Sequence, residues 1–217
     1  IPCNYFQSAE NIMDDVHVNF SHRDHLVNTA ARPFIPTKLW AEETSFGLTH
    51  FLERGDRTDK LHFIMPNRCF LAHPLRSKRN SEPFWFKALF WYVPIDDESH
   101  LHFLIMVYHT KRRERPASSP IHEEIEAIIA GNKTWQDVAT HPNLIRIQDG
   151  VAIVGQGKIV DRSRERLGTS DAGVILLRKI WSRELSLLSG GDKLTDFDTP
   201  DPQELREEEL IAMGSNN

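Results

Sequence analysis

The stretch PFWFKALFWYVP-IDDES-HLHFLIMVYH, residues 83–109, decides the fold. Two runs rich in Phe, Trp, Tyr, Val and Ile flank a short polar segment, residues 95–99, of the kind that forms turns. This pattern predicts two antiparallel strands joined by a hairpin. In the second run, residues 100–109, the apolar residues follow one another without alternation, which predicts a central strand that is covered on both faces.

Two earlier segments extend this hairpin into a sheet. Residues 44–53 and 60–71 have a similar composition, and polar stretches at 56–60 and 76–83 separate the segments. Four such segments in succession predict an antiparallel meander.

Helical patterns lie on both sides of the predicted sheet. Residues 8–22 precede it, and three further segments follow it: 122–131, a longer one around 145–167, and one that begins near Thr169 or Ser170 and ends at Gly190-Gly191. The last of these carries an apolar stripe at helical spacing. The chain is therefore predicted to be α+β, with a helix, a curved antiparallel sheet, and then helices packed on one face.

The composition is that of an ordinary globular protein. The 217 residues carry a net charge of -5, which gives no electrostatic reason to expect binding to nucleic acid or to an anionic membrane surface. No apolar run is long enough to span a bilayer. The two cysteines, Cys3 and Cys69, are too few for a disulfide framework, so a cytoplasmic location is expected.

Residues 10–25, ENIMDDVHVNFSHRDH, combine acids and histidines with apolar residues. Asn11, Asp14 and His17 recur at intervals of three and so share one side of a helix. His17 and His22 would diverge by about 140° on an ideal helix, so they can share a metal only if the helix is broken. On a regular helix, His22 and His25 could pair equally well.

A second polar residue in apolar surroundings lies far downstream. Asp149 stands between Ile147 and the run Val151–Val154. A carboxylate that faces the core needs a partner, and two imidazoles with a divalent ion would provide one. Two histidines and one carboxylate are the ligands of non-haem Fe(II) sites that activate O2. Taken singly, these residues are more often satisfied or exposed side chains than metal ligands.

Two blocks of the sequence carry a resemblance to a known family. CNYFQSAENIMDDVHVNFSH (3–22) is similar to an Asn-x2-Asp-x2-His-x4-His block, and QDGVAIVGQGKIVDRSRERLGTSDAGVILLRK (148–179) to a QD…G-x3-DR-x2-E-x-LG-x-SD-x-G-V block. In this order, the blocks resemble the catalytic domain of the α-subunits of Rieske non-haem iron oxygenases. The greatest likeness is to the phthalate dioxygenase and dicamba monooxygenase branch.

The resemblance implies a role for each matching residue. His17, His22 and Asp149 match the ligands of a mononuclear Fe(II). Asp14 matches the acid that passes electrons from the Rieske [2Fe-2S] cluster of a neighbouring subunit, and Asn11 matches a residue near the metal. Asp161 and Asp171 also lie in the second block but rank below Asp149 as ligands. The resemblance also implies a helix-grip fold and head-to-tail trimers when the protein is full length.

A Rieske cluster needs Cys-x-His and Cys-x2-His motifs, and neither cysteine begins one. The cluster is therefore expected in trans or in a missing N-terminal domain, because the chain begins Ile-Pro-Cys-Asn without Met. Residues 1–190 are predicted to be the iron catalytic domain, and residues 191–217 an acidic, loosely held tail. A Rieske domain, together with a reductase or ferredoxin, is the expected partner.

The leading hypothesis is thus an oxygenase that hydroxylates or O-demethylates an aromatic substrate with O2. The residues that bind this substrate cannot be assigned, and His102 and the other sheet histidines are interpreted as structural. One rival is a helix-grip module that binds an apolar ligand without catalysis. Another is a zinc-dependent hydrolase that uses the same three residues.

Overall fold

A computed structural model of the chain describes residues 1–23, 35–55, 57–77, 80–108 and 121–201, with the main chain alone at 57, 73–77, 80–86 and 108. No helix in these ranges is both long and apolar enough to cross a membrane. His25 and residues 202–217 of the predicted tail lie outside the described residues.

The N-terminal segment forms two helices rather than one. Helix α1 (Tyr5–Met13) is capped by Asn4, which precedes it and whose side-chain oxygen accepts a hydrogen bond from Phe6 N–H. The chain then turns through Asp14 and Asp15 into the short helix α2 (His17–Ser21). The helix predicted over residues 8–22 is broken, but the break lies before His17 and not between His17 and His22, and α2 ends at Ser21, immediately before His22.

Six antiparallel strands follow in simple chain order and form one sheet: β1 (Lys38–Thr44), β2 (Gly47–Arg54), β3 (Arg57–Ile64), β4 (Arg68–Ser77), β5 (Asn80–Asp96) and β6 (Ser99–Tyr108). The predicted single segment 60–71 is two strands, because residues 65–67 form a turn. The antiparallel meander is confirmed, with β1 as an additional strand.

The predicted central position of residues 100–109 is wrong within the described residues. Strand β6 is the last in the sheet, and its outward side chains Leu101, Phe103, Ile105 and Val107 are exposed. A continuous apolar run has the same appearance whether or not something covers its outer face, so the sequence alone could not distinguish the two cases.

The remaining helices are α3 (His122–Ile129), α4 (Leu144–Val154) and α5 (Ala172–Gly190), with two single 3-10 turns, Arg162–Arg164 and Thr169–Asp171, between the last two. The helix predicted around 145–167 therefore ends early. Gly157, which has a positive φ of 91°, follows that end, and the chain continues irregularly. The final helix ends as predicted, with Gly191 in the left-handed conformation.

One hydrophobic core joins the helices to the inner face of the sheet. Met13 of α1, Phe63 of β3, Tyr92 of β5 and Leu177 of α5 are all essentially inaccessible to solvent and belong to the same cluster. The fold is thus α+β, a curved antiparallel sheet with helices, and it places α1, α2 and α4 close to one another beside that core.

The beginning of the C-terminal segment contacts the rest of the chain. Glu184 of α5 accepts hydrogen bonds from the main-chain N–H and the hydroxyl of Thr195, at 2.9 and 2.7 Å. Phe197 packs against the core, and Asp198 N–H donates to the Ser45 carbonyl. Residues 195–198 are therefore held on the domain by specific contacts.

Candidate metal centre

The structure brings together three side chains that are far apart in the sequence. Each of His17, His22 and Asp149 offers one ligand atom, and these atoms lie within 4.8 Å of one another. Asp149 Oδ1 is 3.3 Å from His17 Nε2 and 3.1 Å from His22 Nε2. This is the only group of three or more such residues found among the described residues.

Each imidazole is oriented by a hydrogen bond from its other ring nitrogen. His17 Nδ1 bonds to the main-chain carbonyl of Asp14, and His22 Nδ1 lies 2.9 Å from Gln148 Oε1. Because both partners are acceptors, each Nδ1 carries the proton and each Nε2 keeps a free lone pair. Histidines that bind metals in proteins are commonly held in this way.

The carboxylate completes the cluster without a conventional hydrogen bond. Asp149 Oδ1 is buried and accepts no hydrogen bond, although two imidazole nitrogens lie close to it. Three electron-donating atoms that face one another are unfavourable unless a cation lies between them. Two metal bonds of about 2.1 Å at a right angle hold their ligand atoms about 3 Å apart, close to the distances seen here.

Electrostatics also favours a charged carboxylate in this cluster. Burial opposes the ionisation of Asp149, but the adjacent rings of His17 and His22 outweigh burial and hold the pKa of Asp149 well below its usual range. The residues present therefore fit a divalent cation with two imidazole ligands and one carboxylate ligand.

Asp14 lies directly beside this cluster. Its carboxylate accepts a 3.3 Å hydrogen bond from His17 N–H, in addition to the bond between its main-chain carbonyl and the His17 ring. Burial is the main cause that raises the pKa of Asp14, and the charge of Asp171 adds to it. A single residue thus contacts the candidate ligand His17 at two points.

The other predicted residues lie outside the cluster. In the part of the chain that the structure describes, the Asn11 side chain makes no hydrogen bond, and only its main-chain carbonyl contacts Asp14. Asp161 is exposed and bonds to Ser163, while Asp171 accepts a hydrogen bond from Gly168 N–H. Neither acid is a member of the group that could hold a metal.

Two curated proteins are similar to this chain over 88% of its length. The 5,5'-dehydrodivanillate O-demethylase oxygenase subunit of Sphingobium sp. is 28% identical, and the match covers 44% of that protein. The phenoxybenzoate dioxygenase subunit alpha of Ectopseudomonas oleovorans is 25% identical, with 45% covered. The chain is thus similar to the oxygenase subunit of an O-demethylase and to the alpha subunit of a dioxygenase.

This relationship confirms the resemblance predicted from the two sequence blocks. The chain spans less than half the length of either relative. No protein-family model matches it.

Gln148 is a residue of the candidate site that sequence reasoning did not single out. It precedes Asp149 on α4, and its amide oxygen bonds to His22, 126 residues away in the chain. The sequence contained one signal for it: in the second block, Gln148 immediately precedes the candidate ligand Asp149. Gln148 orients one candidate ligand, and its neighbour Asp149 is another.

Replacing Gln148 with leucine should weaken metal binding by about 10- to 100-fold, the usual effect of removing a hydrogen bond that orients a ligand. The measurement is a titration of Fe(II) into the metal-free protein under anaerobic conditions. Gln156→Leu is the matched control, because Gln156 is exposed and bonds only to the Ala152 carbonyl. Equal affinities for the two variants would show that Gln148 does not orient His22.

Proposed function

We propose that this chain is the catalytic domain of a Rieske-type oxygenase that hydroxylates or O-demethylates an aromatic substrate. In this proposal His17, His22 and Asp149 hold a mononuclear Fe(II). The observation that carries it is the convergence of two free imidazole Nε2 atoms on a buried Asp149 oxygen that accepts no hydrogen bond. When bound, Fe(II) would supply the chemistry that activates O2.

The protein residues have distinct tasks in this proposal. The Asp14 carbonyl and Gln148 fix the two imidazoles so that their Nε2 atoms face the metal position. Asp149 supplies negative charge, and with three protein ligands the remaining coordination positions stay open.

Electrons must come from outside the chain. Cys3 and Cys69 are both buried, neither belongs to a Rieske motif, and burial raises the pKa of the Cys3 thiol to about 11. We therefore place the [2Fe-2S] cluster in another domain or subunit, supplied by a reductase or ferredoxin. Asp14, which touches His17, would bridge a histidine of that cluster to the metal site, so that electrons pass by way of it, and Asn11 would support the metal region.

Assembly and substrate belong to the same proposal. Relatives named as an oxygenase subunit and a subunit alpha favour a multi-subunit enzyme, for which a homotrimer of helix-grip domains is our expectation. Residues 1–190 would form the catalytic domain. One relative is named for O-demethylation of dehydrodivanillate and the other for dioxygenation of phenoxybenzoate, so an aromatic substrate with an ether oxygen is the first to test.

A peroxide-driven reaction tests this function without the missing electron donor. Hydrogen peroxide supplies both the oxygen atom and the two oxidising equivalents, so a methoxyarene and H2O2 would give a phenol, formaldehyde and water. The chain loaded with Fe(II) is mixed with 4-methoxybenzoate and peroxide, and formaldehyde and ring-hydroxylated products are quantified. We expect product that requires iron and that is lost in His17→Ala.

Two other results would contradict the proposal. Ester hydrolysis by the zinc-loaded chain, without any oxidised product from the iron-loaded chain, would indicate a hydrolase at the same three residues. Ligand binding that is identical with and without metal, again without product, would indicate a binding module.

Free Fe(II) with peroxide serves as the blank, because iron in solution also oxidises methoxyarenes.

A further inference from the structure

The first residue of the chain lies beside the start of β6 as a neighbouring strand would. The Ile1 amino group donates to the His100 carbonyl at 2.8 Å, and His100 N–H donates to the Ile1 carbonyl at 3.1 Å. Two residues that exchange both hydrogen bonds form a pair of the antiparallel kind. Further along, the Asn4 side chain donates to the Asp97 carbonyl at 2.8 Å. The N-terminal residues therefore run opposite in direction to residues 97–100.

The contact with Ile1 shows which main-chain groups of β6 point away from β5. Along an antiparallel strand, the N–H and C=O groups of successive residues alternate between its two sides. Because His100 points these groups away from β5, His102 and Leu104 do the same. Within the described residues, neither makes a main-chain hydrogen bond on that side. The edge of β6 is thus open directly beyond the Ile1 contact.

The two edge strands of the sheet differ in how they are protected. Proteins commonly protect an edge strand from pairing with charged side chains, with proline or by keeping it short. Strand β1, at the other edge, has seven residues and includes Lys38, Glu42 and Glu43. Strand β6 has ten residues, Ser99–Tyr108, without Lys, Arg, Asp, Glu or Pro, and Phe103 is 48% exposed. The edge of β6 is therefore suited to pair with a further strand.

We propose that β6 pairs with a seventh strand, supplied by polypeptide that precedes Ile1 and is continuous with it. The chain spans less than half the length of either relative, so a protein of their length has enough polypeptide to supply this strand. The pair formed by Ile1 and His100 fixes the register. The second and fourth residues ahead of Ile1 would face His102 and Leu104 and exchange hydrogen bonds with them.

Continuity with Ile1 favours this occupant over a second copy of the chain. A segment that leads into Ile1 begins its pairing where two hydrogen bonds already exist, so it reaches the edge without closing a loop. A second copy must associate from solution and lacks this high effective concentration. The added strand would join the rest of an oxygenase subunit to the sheet at β6. This part of the inference rests on the proposed function, whereas the pairing itself does not involve the metal.

The experiment supplies a strand and measures the protection of the β6 main chain. An extension of about eight residues of alternating Thr and Val, the length of an ordinary strand, is placed directly ahead of Ile1. Hydrogen–deuterium exchange is then followed at the amides of His102 and Leu104. Exchange should slow by about tenfold or more relative to the chain without the extension, because each amide gains a hydrogen bond.

Two matched variants test the register. An extension of the same length with Pro at the second and fourth positions ahead of Ile1 lacks the donors that face β6 and should give little protection. In the chain with the Thr and Val extension, Leu104→Pro removes the outward N–H from β6 itself and should reduce the protection of His102. Circular dichroism of Leu104→Pro without the extension checks its fold, and the proline-containing extension decides the result if this variant does not fold.

Three results would overturn the seventh strand. The first is equally fast exchange of His102 and Leu104 with and without the Thr and Val extension. The second is slow exchange in the chain without the extension while sedimentation shows a monomer, which would mean that another segment of this chain covers the edge. The third is slow exchange that accompanies a concentration-dependent dimer, which would make a second copy the occupant.

Failure of the seventh strand and failure of the proposed function give different results. Iron content after anaerobic reconstitution is recorded for each chain. Normal iron content without protection at β6 overturns the strand alone. Protection at β6 in a chain that binds no iron supports the strand and contradicts the oxygenase proposal.

Discussion

Replacing Asp149 with alanine should abolish tight Fe(II) binding. The variant loses the only carboxylate in the cluster and leaves two neutral imidazoles, which together hold Fe(II) weakly. The loss should exceed the roughly 10- to 100-fold that accompanies the removal of an orienting hydrogen bond. Iron per chain after anaerobic reconstitution and desalting is the measurement, and it should fall from near-stoichiometric to background.

The fold of this variant should survive. Asp149 Oδ1 has no hydrogen-bond donor to lose, and in the metal-free protein the change removes a buried charge. Asp149→Ala should therefore retain the circular dichroism of the parent chain. The loss of iron can then be assigned to the ligand and not to unfolding.

Two companion variants sharpen this test. Asp161→Ala removes an exposed acid of the same sequence block and should retain full iron content. Asp149→Glu keeps the charge but moves it outward by one methylene, so that iron binding should be intermediate. If Asp149→Ala bound iron as well as Asp161→Ala does, the assignment of the metal site to these three residues would fail.

The sequence predicted which residues could be metal ligands, but not the contacts that bring them together. The spacing of His17 and His22 predicted a break between them, whereas the structure breaks the helix before His17 and ends α2 at Ser21. His22 lies just beyond that end, where its Nδ1–H donates a hydrogen bond to the Gln148 side chain on α4. No local propensity encodes a hydrogen bond between residues 126 positions apart.

The same limit applies to the sheet and its connections. The turn-rich segments and aromatic runs predicted the meander because strand and turn composition are local properties. Whether the outer face of β6 is covered depends on what packs against it. The composition of residues 101–107 does not contain that information.

A second large effect is expected at the turn between α1 and α2. The guanidinium of Arg54, at the end of β2, bonds to Asp15 in that turn and, at 3.0 Å, to Asp59 on β3. The three side chains are only 7%, 17% and 11% exposed, respectively. One cation therefore ties the segment that carries Asp14 and His17 to two strands of the sheet.

Arg54→Met should lower the free energy of unfolding by about 3–5 kcal/mol, because it leaves two largely buried carboxylates without their shared guanidinium. Urea denaturation of the metal-free chain provides the measurement. Lys158→Met is the control: it breaks the exposed Lys158–Glu98 pair, whose side chains are 68% and 52% exposed, and should cost far less stability than Arg54→Met. Equal losses in the two variants would mean that the Arg54 cluster contributes no more than a surface pair.

Removing one of the two carboxylates that face the guanidinium should reverse part of this loss. In the double variant Arg54→Met, Asp15→Asn, only Asp59 remains buried beside the apolar replacement, so stability should recover relative to Arg54→Met alone. Iron binding should not recover with it, because the turn before His17 is no longer fastened to β2 by the guanidinium. A double variant that regained both stability and iron affinity would show that the Arg54 cluster stabilises the fold without positioning the metal site.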